Sequence, residues 1–275
     1  MLGWLWAPEL GAAPTLPLTL LNSRSHDVEC YTQGLFFYKG QLFESGGLYG
    51  RSTFSKWNFG PGRPLEIIQR RKLPDRYFAE GADANGDEIF LLTWRENTCF
   101  VIDPDTLMIK RKISYQGEGW GLAWDGERFW RSDGSARLHP HRGGDFAPDG
   151  EALTIRDGEA EVGGLNELEW DGKTGLMLAN IYGRDEVAVI DLTDGRVRFW
   201  LDAAPLRTLA ESSGLPQTGN PMDVVLNGLA LDDGGLWLTG KFWPRMYQAV
   251  WPPEGMEEAL TETQSESDQT RPAKP

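Results

Sequence analysis

The amino-acid sequence predicts an all-β fold, a five-bladed β-propeller with a short helical insertion between the fourth and fifth repeats. A unit made of a small-residue turn, a strand, a glycine turn and a second strand occurs five times, centred on Gln33, Glu80, Trp120, Asn166 and Asn227. These centres lie 47, 40, 46 and 61 residues apart. Repeats of this length are typical of sheets arranged radially around one axis.

The strands and turns of each copy follow from local composition. The copies pair residues 32–35 with 41–44, 79–81 with 89–94, 119–122 with 129–134, 165–168 with 176–182, and 226–229 with 236–241. Asn-Gly or Asp-Gly pairs begin at residues 85, 125, 171, 194 and 233, between short apolar runs. These dipeptides favour hairpin turns because both residues tolerate positive φ.

Three segments lie outside the predicted propeller strands. Residues 1–22 are expected to be an N-terminal extension or a first strand. The propeller domain itself is predicted to span residues 23–252. Residues 203–214 contain an apolar-periodic run that predicts the inserted helix, which accounts for the longest spacing. Residues 253–275 are polar and interrupted by proline, so they are expected to be a disordered tail.

The charge of the chain limits its partners. The formal net charge is −14, and such a field repels phosphate backbones and anionic lipids. Nucleic acid and membranes are therefore not expected partners, and no apolar run approaches the roughly 18 residues of a membrane span. The protein is expected to be a monomer.

The cysteines and histidines favour neither a metal site nor a catalytic mechanism based on histidine. Cys30 and Cys99 lack the spacing of a metal site, and Cys99 lies in an apolar run that predicts burial, although a single bridge between them remains open. His139 and His141 are suitably spaced on one strand to bind a metal, but Pro140 favours a loop there. No metal ligands are predicted.

The repeat centres differ chemically from one another, which indicates a pocket. Packing positions tend to be filled with similar residues, whereas five unlike side chains pointing at one axis form an asymmetric site. Glu80 lies close to the aromatic residues Tyr77, Phe78 and Trp94, and we expect it to be the carboxylate that lies in an apolar cavity. Burial there would raise its pKa to a value useful for proton transfer. A surface glutamate that caps a turn is the alternative interpretation of Glu80.

Further carboxylates and several aromatic residues are weaker candidates. Glu44 is a second possible proton-transfer group, and strand alternation separates Glu167 from the face of Asn166. The aromatic residues at corresponding ends of different copies predict an aromatic-lined mouth; they are Trp94, Trp120, Tyr182 and Trp243. For Trp130 and Trp237, packing between sheets is the better interpretation. The spacing of Lys241 fits a pocket cation and a rim charge equally.

Ten short strings in the chain resemble the plant and bacterial (type II) glutaminyl cyclases. They occur in the order of that family and cover about residues 26–248: YTQGL (31–35), FESGGLYGRS (43–52), FAEG (78–81), LTW (92–94), EGWGL (118–122), SDGS (132–135), LNELE (165–169), ANIY (179–182), NGL (227–229) and TGKFWP (239–244).

This resemblance implies an enzyme that converts the N-terminal glutamine of peptides or proteins to pyroglutamate and releases ammonia. It implies that Glu80 is the proton shuttle and that the pocket is formed by Gln33, Trp94, Trp120, Asn166 and Lys241. The chemistry of these residue types suggests that Asn166 and Lys241 are also catalytic, because they can stabilise the oxyanion and orient the carboxamide, and that the others bind substrate. Tyr31 and Tyr182 match family pocket positions that are usually Phe and Trp.

The resemblance also bears on cofactors and location. It implies that no cofactor is required, although a structural cation is possible in the central channel. It suggests a periplasmic or secreted protein, but residues 1–13 lack the basic start of a standard signal peptide.

Two other functions remain open on the sequence. The first is a non-catalytic propeller that binds peptide N-termini or another partner through the same pocket. The second is a metal-dependent lactonase-type propeller, which Glu44 and Asn227 keep possible. Glu80 favours the enzyme because a binding protein needs no proton shuttle.

Overall fold

The computed structural model describes residues 12–60 and 65–270, except for the side chains of residues 264–270. The N-terminal region forms β1 (Thr15–Pro17) and β2 (Leu20–Ser25). The first sheet follows, with β3 (Thr32–Tyr38), β4 (Gln41–Gly46), β5 (Thr53–Asn58) and β6 (Glu66–Lys72). The second sheet contains β7 (Ala79–Asn85), β8 (Glu88–Thr93), β9 (Thr98–Ile102) and β10 (Ile109–Ser114).

The rest of the chain repeats this arrangement with one larger sheet. The third sheet contains β11 (Leu122–Trp124), β12 (Arg128–Ser132), β13 (Arg137–Arg142) and β14 (Leu153–Thr154). The strands of the fourth sheet are β15 (Arg156–Asp157), β16 (Ala160–Glu161), β17 (Leu165–Asp171), β18 (Leu176–Ile181), β19 (Glu186–Asp191) and β20 (Arg196–Asp202), with β1 added parallel to β20. The fifth contains β21 (Leu226–Asp232), β22 (Gly235–Gly240) and β23 (Arg245–Ala249).

The N-terminal strand β2 completes the fifth sheet, because it pairs antiparallel with β23 at the outer edge. The domain boundary predicted at residue 23 is therefore wrong, since it falls inside this strand. A strand from the beginning of the chain thus joins the last sheet, so the first and last repeats are held together by backbone hydrogen bonds. The fold is all-β and propeller-like, with few helices.

The sheets pack face to face in a closed order. Buried clusters lie between the first and second, second and third, third and fourth, fourth and fifth, and fifth and first sheets. Strands covered on both faces are buried along their length, as in β18, whereas the outer strand β6 alternates between exposed and half-buried residues. This pattern is expected when each sheet packs between two neighbours.

Helices occur at two places. Helix α1 (Ala204–Ser212) lies inside the predicted insertion between β20 and β21, and a 3-10 helix (Pro221–Val224) follows it. Helix α2 (Met256–Thr270) occupies the tail predicted to be disordered, so that prediction is wrong for these residues. Met256 and Ala259 are buried against the cluster between the fourth and fifth sheets, an apolar contact that the polar composition concealed. No helix among the described residues is long and apolar enough to cross a membrane.

The inner strands are irregular at the repeat centres. Register shifts lie between Thr32 and Gly34 in β3, and between Ala79 and Ala82 in β7. Corresponding shifts occur in β17 and β21, next to Asn166 and Asn227. A β-bulge changes the direction in which a side chain points. The bulges therefore turn the repeat centres out of the normal alternation of the strands.

Glycines beside these bulges let neighbouring sheets come very close. A Cβ atom on Gly81 would lie 2.6 Å from the backbone oxygen of Trp120, and one on Gly121 would lie 2.0 Å from that of Asn166. The Gly81 amide donates a hydrogen bond to the Trp120 carbonyl at 2.6 Å. Only glycine permits this approach of one backbone to another.

A buried charged pair ties the N-terminal segment to the first and fifth sheets. His26 Nε2 lies 2.8 Å from Glu44 Oε1, and His26 Nδ1 lies 2.9 Å from the Trp243 carbonyl oxygen. Both ring nitrogens face acceptors, so the imidazolium form satisfies both. Burial alone would lower the pKa of His26, but Glu44 outweighs it and raises that pKa above 6.5. Burial would raise the pKa of Glu44, but His26 and its hydrogen bonds lower it below 4.5.

We expect the His26→Gln variant to lose most stability between pH 4.5 and 6.5. The raised pKa of His26 gives stabilisation that is complete below pH 6.5 and is lost as the pH rises through the folded value. The lowered pKa of Glu44 gives stabilisation that is present above pH 4.5 and is lost at lower pH. Urea unfolding of both proteins at about pH 5.5 and about pH 9 measures the difference. An equal difference at the two pH values would contradict the ionised pair.

We expect Gly81→Ala to lower the free energy of unfolding by about 1–3 kcal/mol, because the added methyl group meets backbone that must shift. Gly163→Ala is the matched control, since a Cβ on Gly163 has no neighbour within 4 Å. Thermal unfolding of both variants measures the effect. Equal melting temperatures for the two variants would show that the close approach at Gly81 is not a constraint.

Candidate active site

A cavity of about 260 Å³ opens where the inner strands begin and the second strands end. Its lining residues come from all five sheets: Tyr31, Gln33, Phe78, Glu80, Trp94, Trp120, Asn166, Tyr182 and Lys241. Gln33, Glu80 and Asn166 lie at the bulges of β3, β7 and β17, while Lys241 directly follows β22. The irregular backbone described above therefore points these side chains into one space.

Glu80 is the buried carboxylate of this cavity, with only 4% of its surface exposed. Its Oε1 atom accepts a hydrogen bond from Gln33 Nε2 at 3.0 Å. The Glu80 carbonyl oxygen accepts another from Ser45 Oγ at 2.5 Å, which fixes the backbone. Burial raises the pKa of Glu80 well above 4.5; Lys241 opposes this rise, and Glu118 and Glu96 add to it. A carboxyl group with a raised pKa is a stronger base than a surface glutamate, and its protonated form can still donate a proton.

The orientation of Gln33 is set from the fifth sheet. Asn227 Nδ2 donates to Gln33 Oε1 at 3.1 Å and to the Thr32 carbonyl at 2.9 Å. Because the Gln33 oxygen is engaged by Asn227, its amide nitrogen faces Glu80. Asn227 thus acts behind the cavity wall, and it does not line the cavity.

Lys241 is the buried cation of the cavity. Burial lowers its pKa to about 8, although Glu80 and Asp223 act in the opposite direction. The Lys241 ammonium lies 4.5 Å from the ring centre of Tyr31 and 5.3 Å from that of Tyr182. The backbone of Lys241 is held by a hydrogen bond from its amide to the Val225 carbonyl at 3.0 Å. Of the two interpretations of Lys241, the structure supports the pocket cation.

Aromatic rings form most of the cavity wall. Phe78 contacts Tyr31 and Trp94, with ring centres 6.2 and 5.4 Å apart. Trp120 and Tyr182 pack edge to face, with their ring centres 5.6 Å apart. Glu80 and Lys241 are only 4% and 3% exposed beside these rings, and a surrounding of low dielectric constant strengthens electrostatic interactions.

The structure brings all eight predicted site residues together and leaves other candidates outside. Trp243 is fully buried, and its indole donates to the Val224 carbonyl at 2.8 Å, so its expected place at the mouth is wrong. Glu44 is engaged by His26, as described above. Glu167 accepts backbone hydrogen bonds from Leu35 and Leu229 at 3.3 and 2.9 Å. These two carboxylates therefore serve the fold.

Trp130 and Trp237 also serve the fold. Their indoles donate to the turn carboxylates of Asp125 and Asp232 at 2.7 and 3.1 Å, and both rings are buried between sheets. This confirms the packing interpretation for both residues. Cys30 and Cys99 are buried free thiols, so the bridge between them is not formed.

His139 and His141 lie on strand β13, so the predicted loop is wrong. His139 pairs with Asp133 at 2.8 Å, and the His141 ring lies 2.9 Å from the Phe146 carbonyl and 3.2 Å from Arg131 Nε. Within residues 12–60 and 65–270, no group of three or more His, Cys, Asp or Glu residues is arranged to hold a metal ion.

Sequence reasoning missed Glu118, which touches two walls of the cavity. Glu118 Oε2 accepts hydrogen bonds from Trp94 Nε1 at 2.8 Å and from Trp120 Nε1 at 3.0 Å. Burial alone would raise the pKa of Glu118, but hydrogen bonds from the two indoles and Arg95 lower it, so the group is ionised. Its place two residues before Trp120 was the available signal, yet spacing alone does not show that both indoles turn toward it.

A propeller-like fold with an enclosed carboxyl group, an amine and an aromatic wall defines an enzyme site built for acid–base chemistry. Comparisons with known proteins agree. The model of the glutamine cyclotransferase family matches residues 4–250. The chain is 35% identical over 233 residues to a glutaminyl-peptide cyclotransferase of Arabidopsis thaliana, an alignment that covers 81% of this chain and 68% of the relative.

A solved structure shows the same similarity. The glutaminyl cyclase of Myxococcus xanthus superposes with a TM-score of 0.76 at 30% sequence identity, covering 86% of this chain and 97% of that one. The chain belongs to the glutamine cyclotransferase family. The resemblance found in the ten sequence strings is thereby confirmed.

We expect Lys241 to titrate near pH 8 and the Glu80→Gln variant to lower that value, because Glu80 raises the pKa of Lys241. The measurement is the pH dependence of the Lys241 side-chain nitrogen resonance in protein with labelled lysine. Lys173 is the control, since it lies on the exposed surface beside Asp233. A Lys241 value that stays the same in Glu80→Gln would contradict the coupling.

Proposed function

We propose that this chain is a glutaminyl-peptide cyclotransferase, which converts the N-terminal glutamine of peptides or proteins to pyroglutamate with release of ammonia. The observation that supports it most is the buried Glu80 carboxyl group, held by Gln33 inside an aromatic cavity. The membership of the chain in the glutamine cyclotransferase family supports the same reaction.

The reaction needs one group that moves a proton twice. The neutral α-amine of the substrate attacks its own γ-amide carbonyl carbon, and a new C–N bond forms. The ionised Glu80 accepts a proton from the attacking nitrogen and then delivers it to the departing amide nitrogen. The old C–N bond breaks, and ammonia leaves with that proton. Because the attack is intramolecular, most of the enzyme's task is to fold the side chain back toward the amine.

The burial of Glu80 suits this role. Its raised pKa makes the ionised carboxylate a stronger base than a surface glutamate, and the protonated form remains a competent acid. Gln33 donates to one carboxylate oxygen, so the other is left for the substrate. In this scheme Glu80 carries the proton, and the hydrogen bond from Gln33 holds the Glu80 carboxylate in position.

In this scheme Asn166 and Lys241 act on the γ-carbonyl group of the substrate. Negative charge develops on that oxygen as the amine attacks, and a fixed donor in a dry site stabilises it by about 3 kcal/mol. Asn166 comes from the fourth sheet and Lys241 from the fifth, and both side chains are buried in the cavity wall. The charge of Lys241 suits the oxyanion, and the amide of Asn166 suits the carboxamide.

The cavity matches a single terminal residue. Its volume of about 260 Å³ is below the roughly 300–1,000 Å³ of sites for drug-sized ligands. Trp94, Trp120 and Tyr182 cover the methylene groups of the glutaminyl side chain. Tyr31 and Tyr182 stand where the family usually has Phe and Trp, a difference that bears on side-chain preference or turnover and not on the type of reaction.

The proposal also covers the number of blades, the need for cofactors and the partners of the protein. The five sheets act as five blades of one propeller, supported by the five buried clusters that link them in a closed order. The scheme needs no metal and no organic cofactor. The negative net charge argues against nucleic acid as a partner, and a monomer is sufficient because every proposed site residue comes from one chain.

We expect Glu80→Gln to reduce kcat by about 10²–10⁴-fold, because the amide neither accepts nor delivers the proton. Ammonia release from Gln-Ala, followed by a coupled assay, measures the loss. Glu161→Gln is the control, since Glu161 lies on the surface beside Arg156. Undiminished turnover in Glu80→Gln would remove Glu80 from the mechanism, and absence of turnover in the unmodified protein would favour a binding function.

A further inference from the structure

One carboxylate holds two walls of the cavity together. Glu118 Oε2 accepts the indole hydrogens of both Trp94 and Trp120. Trp94 follows strand β8 of the second sheet, whereas Trp120 precedes strand β11 of the third sheet. A single oxygen atom therefore fixes two rings that belong to different sheets, and it limits both their separation and their tilt.

Glu118 is itself held by several contacts. Arg95 Nε donates to Glu118 Oε1 at 2.9 Å, and the Arg95 guanidinium lies 3.7 Å from the ring centre of Trp94. Arg131 Nη1 donates to the Glu118 carbonyl oxygen. The following residue is Gly119, where a Cβ would lie 2.2 Å from the Tyr115 hydroxyl and 3.0 Å from the Thr93 carbonyl. The main chain at this point therefore lies against the second sheet, which keeps Glu118 within reach of both indoles.

We propose that Glu118 is a positioning residue, which sets the spacing of Trp94 and Trp120 and thereby the affinity of the cavity for the glutaminyl side chain. This inference rests on the proposed function. Glu118 does not line the cavity, so it acts through the two rings.

The same carboxylate has a separate electrostatic effect. The charged groups that act on Glu80 are Lys241, which lowers its pKa, and Glu118 and Glu96, which raise it. Removing the charge of Glu118 while keeping an acceptor oxygen therefore lowers the pKa of Glu80. The geometric and electrostatic effects of Glu118 are thus separable with two substitutions.

The test compares Glu118→Ala, Glu118→Gln and Asp125→Ala. Asp125 is the matched control because its carboxylate accepts the indole hydrogen of Trp130, which packs between sheets outside the cavity. We expect Glu118→Ala to raise KM for Gln-Ala about tenfold, which corresponds to about 1.4 kcal/mol of binding free energy, with a smaller change in kcat. The indole proton resonances of Trp94 and Trp120 move in this variant while that of Trp130 stays in place.

Glu118→Gln provides the rescue. Its amide oxygen still accepts the indole hydrogens, so KM returns close to that of the unmodified protein. The acid limb of the pH profile of kcat/KM moves to lower pH, because the pKa of Glu80 falls. This shift reports the charge of Glu118 alone, whereas KM and the indole resonances report the placement of the two rings; a role confined to stability would change the melting temperature and leave KM and both resonances in place.

Three results would overturn the proposal: an unchanged KM in Glu118→Ala, unchanged indole resonances of Trp94 and Trp120, or an equal rise of KM in Asp125→Ala. The resonances do not depend on turnover. If the unmodified protein releases no ammonia, the cyclotransferase function fails, and the resonances still decide whether Glu118 positions the two rings.

Discussion

The structure depends on close backbone contact between neighbouring inner strands. Gly81 and Gly121 have no side chain, so the backbones at Trp120 and Asn166 come within a distance that excludes a Cβ atom. The bulges at the same places turn Gln33, Glu80 and Asn166 toward the centre. Sheet packing and the cavity therefore depend on the same irregular backbone. It allows neighbouring inner strands to come into close contact, and it also turns the side chains toward the cavity.

Burial is the main cause of the chemical properties of the site. It raises the pKa of Glu80 and lowers that of Lys241, which brings an acid and a base toward the same pH range. Both groups remain hydrated in an unfolded chain, where their pKa values are ordinary. The ring wall of Tyr31, Phe78 and Trp94 provides this dry surrounding, and its cost in stability is offset by the large apolar clusters between the sheets.

Carboxylates have different functions according to their partners. Glu44 is ionised beside His26 and joins the beginning of the chain to the first and fifth sheets. Glu167 bonds to backbone amides of two other sheets. Glu118 holds two indoles, and Glu80 faces the cavity with one neutral donor. Among these four carboxylates, Glu80 alone lies in the cavity wall and accepts its side-chain hydrogen bond from a neutral donor, Gln33.

The sequence by itself determined the repeat, the hairpin turns and four of the five repeat centres that meet in the cavity, whereas Asn227, the fifth, lies behind its wall. Those features depend on local spacing and residue type, and the repeat places equivalent positions at equivalent ends of each sheet. Only the tertiary structure decided that His26 pairs with Glu44, that Trp243 is buried between the fourth and fifth sheets, that β2 joins the last sheet and that Met256 packs against the core. These contacts join segments whose relative placement depends on how the sheets close on one another, and no local pattern encodes that closure.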